Sequence, residues 1–465
     1  MTIASPPVAE KIFLSGCVLL LPLAFRYALG ALHPEARDLW PLILPFVYNH
    51  FLHLGYYNLA FAGVPFFLVL GYWARRRGRL APGETVALAL LLLFLYFCHL
   101  VTLLLALGAL GVLASWLSVR ELREGAAGRS RVAGLRVFAL ATAALPVVLL
   151  ALWFLAGQRS ERSDEGPSLL ERWADLWRLR ELASHDEREL WLTGALGVLL
   201  LVVAAALVAV KLRPPSWSDR DGLLLVAATF AVVYFLAPVT VLNTPGSTPG
   251  GGTTHDRVSL YVFFVLLLWI ATQDLRPASR RGLVGTSVAL AVGLLALRLP
   301  RYAELNADLA EYLAPAALIT RHATLLPVSF AHQGRRLDGS PVSWRVKAFL
   351  HGGAYLAAER DLVDFTNYEA DLGYFPTLFR RDANPYRWLR KGQELQTPCL
   401  DFARYDRRAP RPLDFVLVWA GAPGDPRDPC AAAIFEHLDK HYELVDTSKP
   451  RGLARLYRRR TAGVG

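Results

Sequence analysis

The chain has 465 residues, 54% of them hydrophobic and 19% charged, with a formal net charge of +11. That apolar share is above the roughly 45–50% of ordinary soluble domains, and the charge is unevenly spread. The basic residues cluster between long apolar runs, where topology signals facing anionic lipid belong, which excludes nucleic acid as their partner.

The first apolar run, residues 12–31, follows a lone Lys11 and contains Arg26. It is longer than the apolar region of a cleaved signal and reads as an uncleaved signal anchor. The segment from Tyr48 to Trp116 then sets the pattern for the chain. A polar-aromatic entry with His50 and His53 leads into an apolar run that stops at Arg75, Arg76, Arg77 and Arg79, followed by a second run through Cys98 and His99. A hydrocarbon core of about 30 Å needs about 20 helical residues, and these runs supply them.

The expected fold class is therefore an α-helical polytopic membrane protein with about nine transmembrane helices, at 11–31, 54–74, 84–99, 101–117, 136–156, 192–211, 223–241, 258–273 and 283–299. The third and fourth runs are separated at Cys98-His99. Merging them would invert every later loop and put the basic loops outside. With the N-terminus cytoplasmic, the inward loops are 75–83, 118–135, 212–222 and 274–282, each rich in Arg. The outward loops 32–53 and 242–257 carry few. Loop 157–191 mixes charges of both signs. Its Leu169, Leu170, Trp173, Leu176, Trp177 and Leu179 fall near helical spacing, as in an amphipathic helix lying in the outer interface or a packed loop helix.

From residue 300 onward the composition is that of a soluble domain. Residues 300–465 are expected to form an extracytoplasmic α/β domain, with strands at 323–330, 414–421 and within YELVDTS and LARLYRR, and helices at 351–363 and 431–442. Four Cys are too few for a disulfide framework. Cys17 and Cys98 lie in apolar runs. Cys399 and Cys430 pair if their domain is outside the cytoplasm, and are two separate thiols otherwise.

No GxSxG, HExxH, CxxC or Walker motif occurs, and the glycine-rich stretch 246–252 lacks the Lys-Ser/Thr ending of a phosphate loop. The remaining chemistry is a set of ionisable groups at the outer membrane face: Glu35, Asp38, His50, His53, His99, His255, Asp256 and Arg257. His50 and His53, three apart, share a helical face that suits a metal, but no third ligand is evident. A transporter would carry charges in mid-membrane and an inverted repeat, and neither is apparent.

The stretches HLGYYNLAFAGVPFFLVLGYWARRRGR, LLLFLYFCHLVTLLLALGAL and THDRVSLYVFFVLLLWIA, followed by a polar C-terminal domain, resemble bacterial membrane glycosyltransferases of the GT-C superfamily. The resemblance implies transfer of a sugar from a polyprenyl-phosphate carrier to a glycan or lipid acceptor at the outer face of the bacterial inner membrane. It implies a catalytic carboxylate in the first outer loop, here Glu35 or Asp38, and a cationic group for the donor phosphate, here Arg257 with His255. His50, His53, His99 and Asp256 would line the cavity. No cofactor is called for, though a divalent metal is compatible with the chemistry. The first outer loop is shorter than the family's. That difference implies either a start inside the full pattern or a divergent member, and the alternative reading is a non-catalytic accessory or structural protein of an envelope-polysaccharide pathway. In the C-terminal domain, His351, Tyr368, Glu369 and Tyr374 are candidate glycan contacts.

Overall fold

A computed structural model describes residues 5–78, 81–123, 129–156, 167–213, 216–237, 254–371, 377–389, 399–421 and 430–460. The glycine-rich stretch 246–252 and Tyr374 lie outside them. The chain divides into two compact units, Pro7–Asn243 with Pro249–Leu297, and Arg298–Gly465.

The helical unit holds α1 (Pro6–Leu32), a 3-10 segment (Pro34–Phe46), α2 (His50–His53), α3 (Tyr57–Arg76), α4 (Pro82–Cys98), α5 (Leu100–Arg123), α6 (Arg129–Ala156), α7 (Leu169–Trp177), α8 (Glu189–Lys211), α9 (Gly222–Leu236), α10 (Thr254–Ala271) and α11 (Pro277–Leu313), which runs across the unit boundary. Each of the nine apolar runs has a helix over most of its described residues. Among the described residues, seven helices are long and apolar enough to cross a membrane, and Pro82–Cys98 is a shorter apolar one. Many of these helices expose large apolar side chains, such as Phe97, Trp153 and Leu236. Exposed apolar surface on this scale needs lipid around it, and a helix meets the demand that every backbone polar group be satisfied there. The break at Cys98-His99 is real: α4 ends at Cys98, His99 is extended, and its backbone N–H donates to Leu95 O.

The central element is α10. Every residue from Val258 to Ala271 is buried, as expected of a helix apolar on all faces. Its two ends differ. At the C-terminal end, Trp269 Nε1 donates to Asp221 at 2.9 Å, and Arg220 donates to the Thr272 carbonyl at 2.6 Å. Lys211 also donates to Asp221, Arg120 pairs with Asp219, and buried Arg136 clasps Glu121 through both Nη atoms and donates to the Arg77 carbonyl. The four basic loops expected to share a side thus meet at one end of the unit, here called the basic end. The N-terminal end of α10 carries His255, Asp256 and Arg257 and is called the histidine end.

One expectation is corrected. Residues 32–53 do not form a loop at a single end, and α1 and α3 are parallel, not antiparallel. Tyr57 donates to Glu10, Phe13 packs on Phe61, Phe25 packs on Phe67, and Arg75 lies over Tyr27. Contacts thus rise together along both helices. A Cβ on Gly71 would sit 2.6 Å from the Tyr27 ring and 3.0 Å from the Ala28 Cα, so only glycine permits this approach. Between the two helices, the 3-10 segment returns along α10, from Glu35 beside Arg280 to Phe46 beside Phe263 and Phe264. At ~2.0 Å per residue, its 13 residues cover about 26 Å.

The second unit carries a five-stranded sheet of β1 (Thr324–Ser329), β2 (Val363–Asp364), β3 (Phe415–Trp419), β4 (Tyr442–Thr447) and β5 (Ala454–Arg459), in the order β2-β1-β3-β5-β4. The strands β2, β1 and β3 are parallel, and β5 is antiparallel to β3 and β4. Helix α12 (Gly353–Arg360) covers one face with Leu356 packed on Leu325 and Leu417. Helices α13 (Pro385–Trp388), α14 (Phe402–Arg408) and α15 (Ala431–His441) border the other face, where Phe402, Tyr405, Ile434 and Phe435 pack on Val416 and Val418. All four expected strands and both expected helices are present, and β2 is additional. Cys399 and Cys430 form a disulfide, with Cα atoms 4.9 Å apart.

Candidate functional site

At the histidine end, three separated segments converge on the start of α10. The first is α2. Its N-cap Asn49 accepts from the Leu52 N–H and donates to the Phe46 carbonyl, which fixes the short helix and its two histidines. His50 is buried, and His53 is half-buried, with its Nδ1 2.9 Å from Ser184 Oγ and its ring 4.7 Å from that of His185.

The second segment is α7 and the loop after it. Ser168 and Glu171 form a capping box that starts α7. On one side Leu169, Leu170 and Trp173 are exposed, and on the other Arg172 and Leu176 are buried. This is the amphipathic face expected for a helix in the lipid interface. Arg172 donates to the carbonyls of Phe235 and Ala237 at 3.0 and 2.9 Å, and to Tyr234 at 3.4 Å, capping the C-terminal end of α9. After α7 the chain turns through Leu179 at φ 49. Residues 182–186 are then buried, and the Glu189 carboxylate accepts the backbone N–H groups of Ser184, His185 and Asp186 at 2.9–3.0 Å. A buried loop must satisfy its backbone, and Glu189 does so.

The third segment is the first turn of α10. His255 is 2% exposed, lies 3.2 Å from Asp256 and meets the Tyr234 ring edge-on at 5.7 Å. Asp175, Arg172 and Arg180 lie within electrostatic range of His255. Burial works against the charge on Arg180, but Asp175, Glu181 and Asp256 outweigh it and hold the group above the ordinary arginine range. Arg257 lies over the Tyr56 ring at 5.8 Å and within electrostatic range of His99. His99 itself bonds Thr102, whose hydroxyl is 2.7 Å from Tyr261 Oη on α10.

The structure therefore gathers His50, His53, His255, Asp256 and Arg257, with His99 nearby, and leaves out Glu35 and Asp38. Both are exposed. The Glu35 carbonyl accepts from Arg280, and neighbouring His33 feels Arg220, Asp274 and Arg280. These are basic-end residues, separated from Arg257 by the length of α10, roughly 25 Å at 1.5 Å per residue. Their assignment as the catalytic carboxylates beside Arg257 is corrected: the 3-10 segment carries them to the opposite end. The sequence reading missed Arg172, Asp175, Arg180, Glu181, Ser184, His185 and Glu189. The signal was the mixed charge of 157–191, more than a solvated loop needs.

Among the described residues, no three His, Cys, Asp or Glu side chains converge as a metal-ligand set. In the second unit His351 and Tyr368 stand with rings 5.4 Å apart, and Glu369 is exposed in the 3-10 turn Tyr368–Asp371.

These features define a mostly helical protein with, among the described residues, seven helices fit to cross a membrane, and a small C-terminal sheet. Comparison with protein-family models, curated proteins and solved structures finds no match to the chain.

Proposed function

We propose that this protein is a GT-C-like membrane glycosyltransferase working at the histidine end of its helical unit. It takes a sugar from a polyprenyl-phosphate carrier and passes it to an envelope glycan or lipid. The observation that carries the reading is the convergence, on the first turn of a buried central helix, of two guanidinium groups with carboxylates and histidines from three separate segments. Ionisable groups placed at a membrane boundary are costly, and function is the usual reason for keeping them. Arg257 and Arg180 suit the donor phosphate and the charge that grows on it as the glycosidic bond breaks. Asp256 or Glu181 supplies the carboxylate that accepts the acceptor hydroxyl's proton, in place of Glu35 and Asp38.

The gathering of Arg-rich loops at the opposite end supports a bacterial inner-membrane orientation with nine helical spans and the histidine end outward. The Cys399–Cys430 disulfide supports an extracytoplasmic second unit. The parallel course of α1 and α3 supports a start of α1 outside as well, against the cytoplasmic N-terminus expected from the sequence, with the 3-10 segment as a further crossing beside the nine helical spans.

The test is transfer of labelled sugar from a synthetic polyprenyl-phosphate donor in proteoliposomes. Wild type moves label and Arg257→Ala loses at least tenfold, the effect of one charge-assisted contact of about 1.5–3 kcal/mol. A second reading, a non-catalytic accessory that holds the same carrier, is favoured by the position of Glu35 and Asp38 away from Arg257. Carrier binding without turnover decides for it, and the absence of both sinks the two readings together.

A further inference from the structure

Helix α1 has two unlike sides. Its buried Leu21, Phe25 and Ala28 face α3, against Gly63, Phe67 and Gly71. Away from α3, at alternating spacings of four and three, runs a stripe of Ile12, Gly16, Leu19, Leu23, Arg26 and Gly30. Ile12, Leu19 and Leu23 are 65, 65 and 57% exposed, so in a membrane this stripe is turned to lipid.

Arg26 interrupts that stripe toward the basic end, about 9 Å along the axis before Leu32 closes α1. It is half-buried, and its Nε is sealed from solvent without a hydrogen-bond partner. Among the described residues no carboxylate pairs with it. One turn further on, Gly30 brings no side chain to the stripe, and Arg37 of the 3-10 segment takes the space. Its Cβ, Cγ and Cδ lie 3.6–3.8 Å from where a Gly30 Cβ would stand. Positions four apart on a helix are neighbours, with Cβ atoms about 5–6 Å apart, so the Arg37 stem lies beside that of Arg26. Arg37 is exposed and likewise makes no hydrogen bond or ion pair among the described residues. The nearby acids do not neutralise the two: Glu35 lies 3.9 Å from His33, and Asp38 makes no ion pair. On the adjoining face Arg75 lies over the Tyr27 ring, which adds a third cation. A guanidinium on a lipid-facing stripe is costly without an anion to meet it, and the chain supplies none.

We propose that Arg26 and Arg37 form a binding site for the headgroup phosphate of an acidic phospholipid, whose acyl chains lie along Leu23, Leu19 and Ile12. The recognising chemistry is the guanidinium fork on phosphate oxygens, which a free phosphate shares. The lipid is the better occupant because the two cations head an exposed apolar stripe, which only a ligand with acyl chains covers. A headgroup with net negative charge matches two unpaired cations, whereas a zwitterionic one brings a cation of its own. None of these residues belongs to the histidine end, so the site stands or falls apart from the transferase reading.

The test is thermal unfolding of the full chain in neutral detergent, titrated separately with dioleoyl phosphatidylglycerol, dioleoyl phosphatidylcholine and inorganic phosphate, with native mass spectrometry to count retained lipid. Phosphatidylglycerol raises Tm saturably and is retained, while phosphatidylcholine and phosphate leave Tm unchanged. Arg26→Gln and Arg37→Gln each raise the half-saturating concentration of phosphatidylglycerol about tenfold, the loss of one charge-assisted contact. Arg26→Leu, which suits the lipid-facing stripe, folds and loses the response as well. Arg276→Gln, an exposed cation at the same end, titrates as wild type. A Tm rise with phosphate alone means a free-anion site and overturns the proposal. So does an equal response to phosphatidylcholine, wild-type titration in the Arg26 and Arg37 variants, or an equal loss in Arg276→Gln, which would mean diffuse attraction between charges.

Discussion

The Glu35 carbonyl accepts a hydrogen bond from the Arg280 guanidinium. That contact joins the chain just after α1 to the start of α11, at the basic end, and so fixes the course of the first 60 residues. Single cysteines test it in a Cys98→Ala background. Glu35→Cys and Arg276→Cys label from the same side of sealed membranes with an impermeant maleimide, and Tyr48→Cys labels from the other. An antiparallel pair of helices joined by one loop would instead put Glu35→Cys and Tyr48→Cys on the same side.

The consequence for chemistry is equally direct. Glu35→Gln and Asp38→Asn leave donor binding and transfer within about twofold of wild type, as exposed charges remote from a site do. Asp256→Asn and Arg180→Ala each lower transfer by tenfold or more. A large loss in Glu35→Gln with none in Asp256→Asn would restore the first-loop carboxylate and remove the histidine-end site.

Much of this was legible in the sequence. Hydropathy places every long helix to within a few residues at most ends, and the break at His99 follows from the Arg pattern of the later loops. The strands of the second unit are short apolar runs bounded by turn residues. The 3-10 segment was not legible. PEARDLWPLILPF is too short to cross at 1.5 Å per residue, and long 3-10 runs are uncommon enough that a stretch with three prolines reads as a loop. The error then spread to Glu35 and Asp38. The loop 178–189 escaped for a different reason: charged side chains signal solvent, and only the structure shows that Glu181, Asp186 and Glu189 are buried.

Arg172 is the tie between the interfacial helix and the core. It donates to three carbonyls at the end of α9, and the Tyr234 hydroxyl donates back to the Arg172 carbonyl at 2.8 Å. Arg172→Ala leaves those carbonyls without a donor and destabilises the protein by about 2–3 kcal/mol. Lysine restores only part of this, because one ammonium cannot reproduce the guanidinium fork. Thermal unfolding in detergent should rank wild type above Arg172→Lys, and that above Arg172→Ala. Equal stability of Lys and wild type would mean that charge, not geometry, is what α9 needs.

Asp364 gives the second unit a pH dependence of defined sign. Its carboxyl is held above the ordinary value of 3.8 by burial, against two hydrogen bonds from Thr366 that pull it down. A carboxyl raised on folding binds its proton more tightly in the folded state than in the unfolded one. Its contribution to stability is therefore complete below about pH 3.8 and is lost as pH rises through the folded value. Asparagine keeps the Oδ1 that accepts from Thr366 and never ionises. Asp364→Asn should thus raise Tm at pH 7–8, where the native carboxyl bears the full cost of burial. The advantage should shrink steadily as the pH is lowered toward 4. A constant difference between variant and wild type across that range would mean that Asp364 ionises in the folded protein as easily as in the unfolded chain.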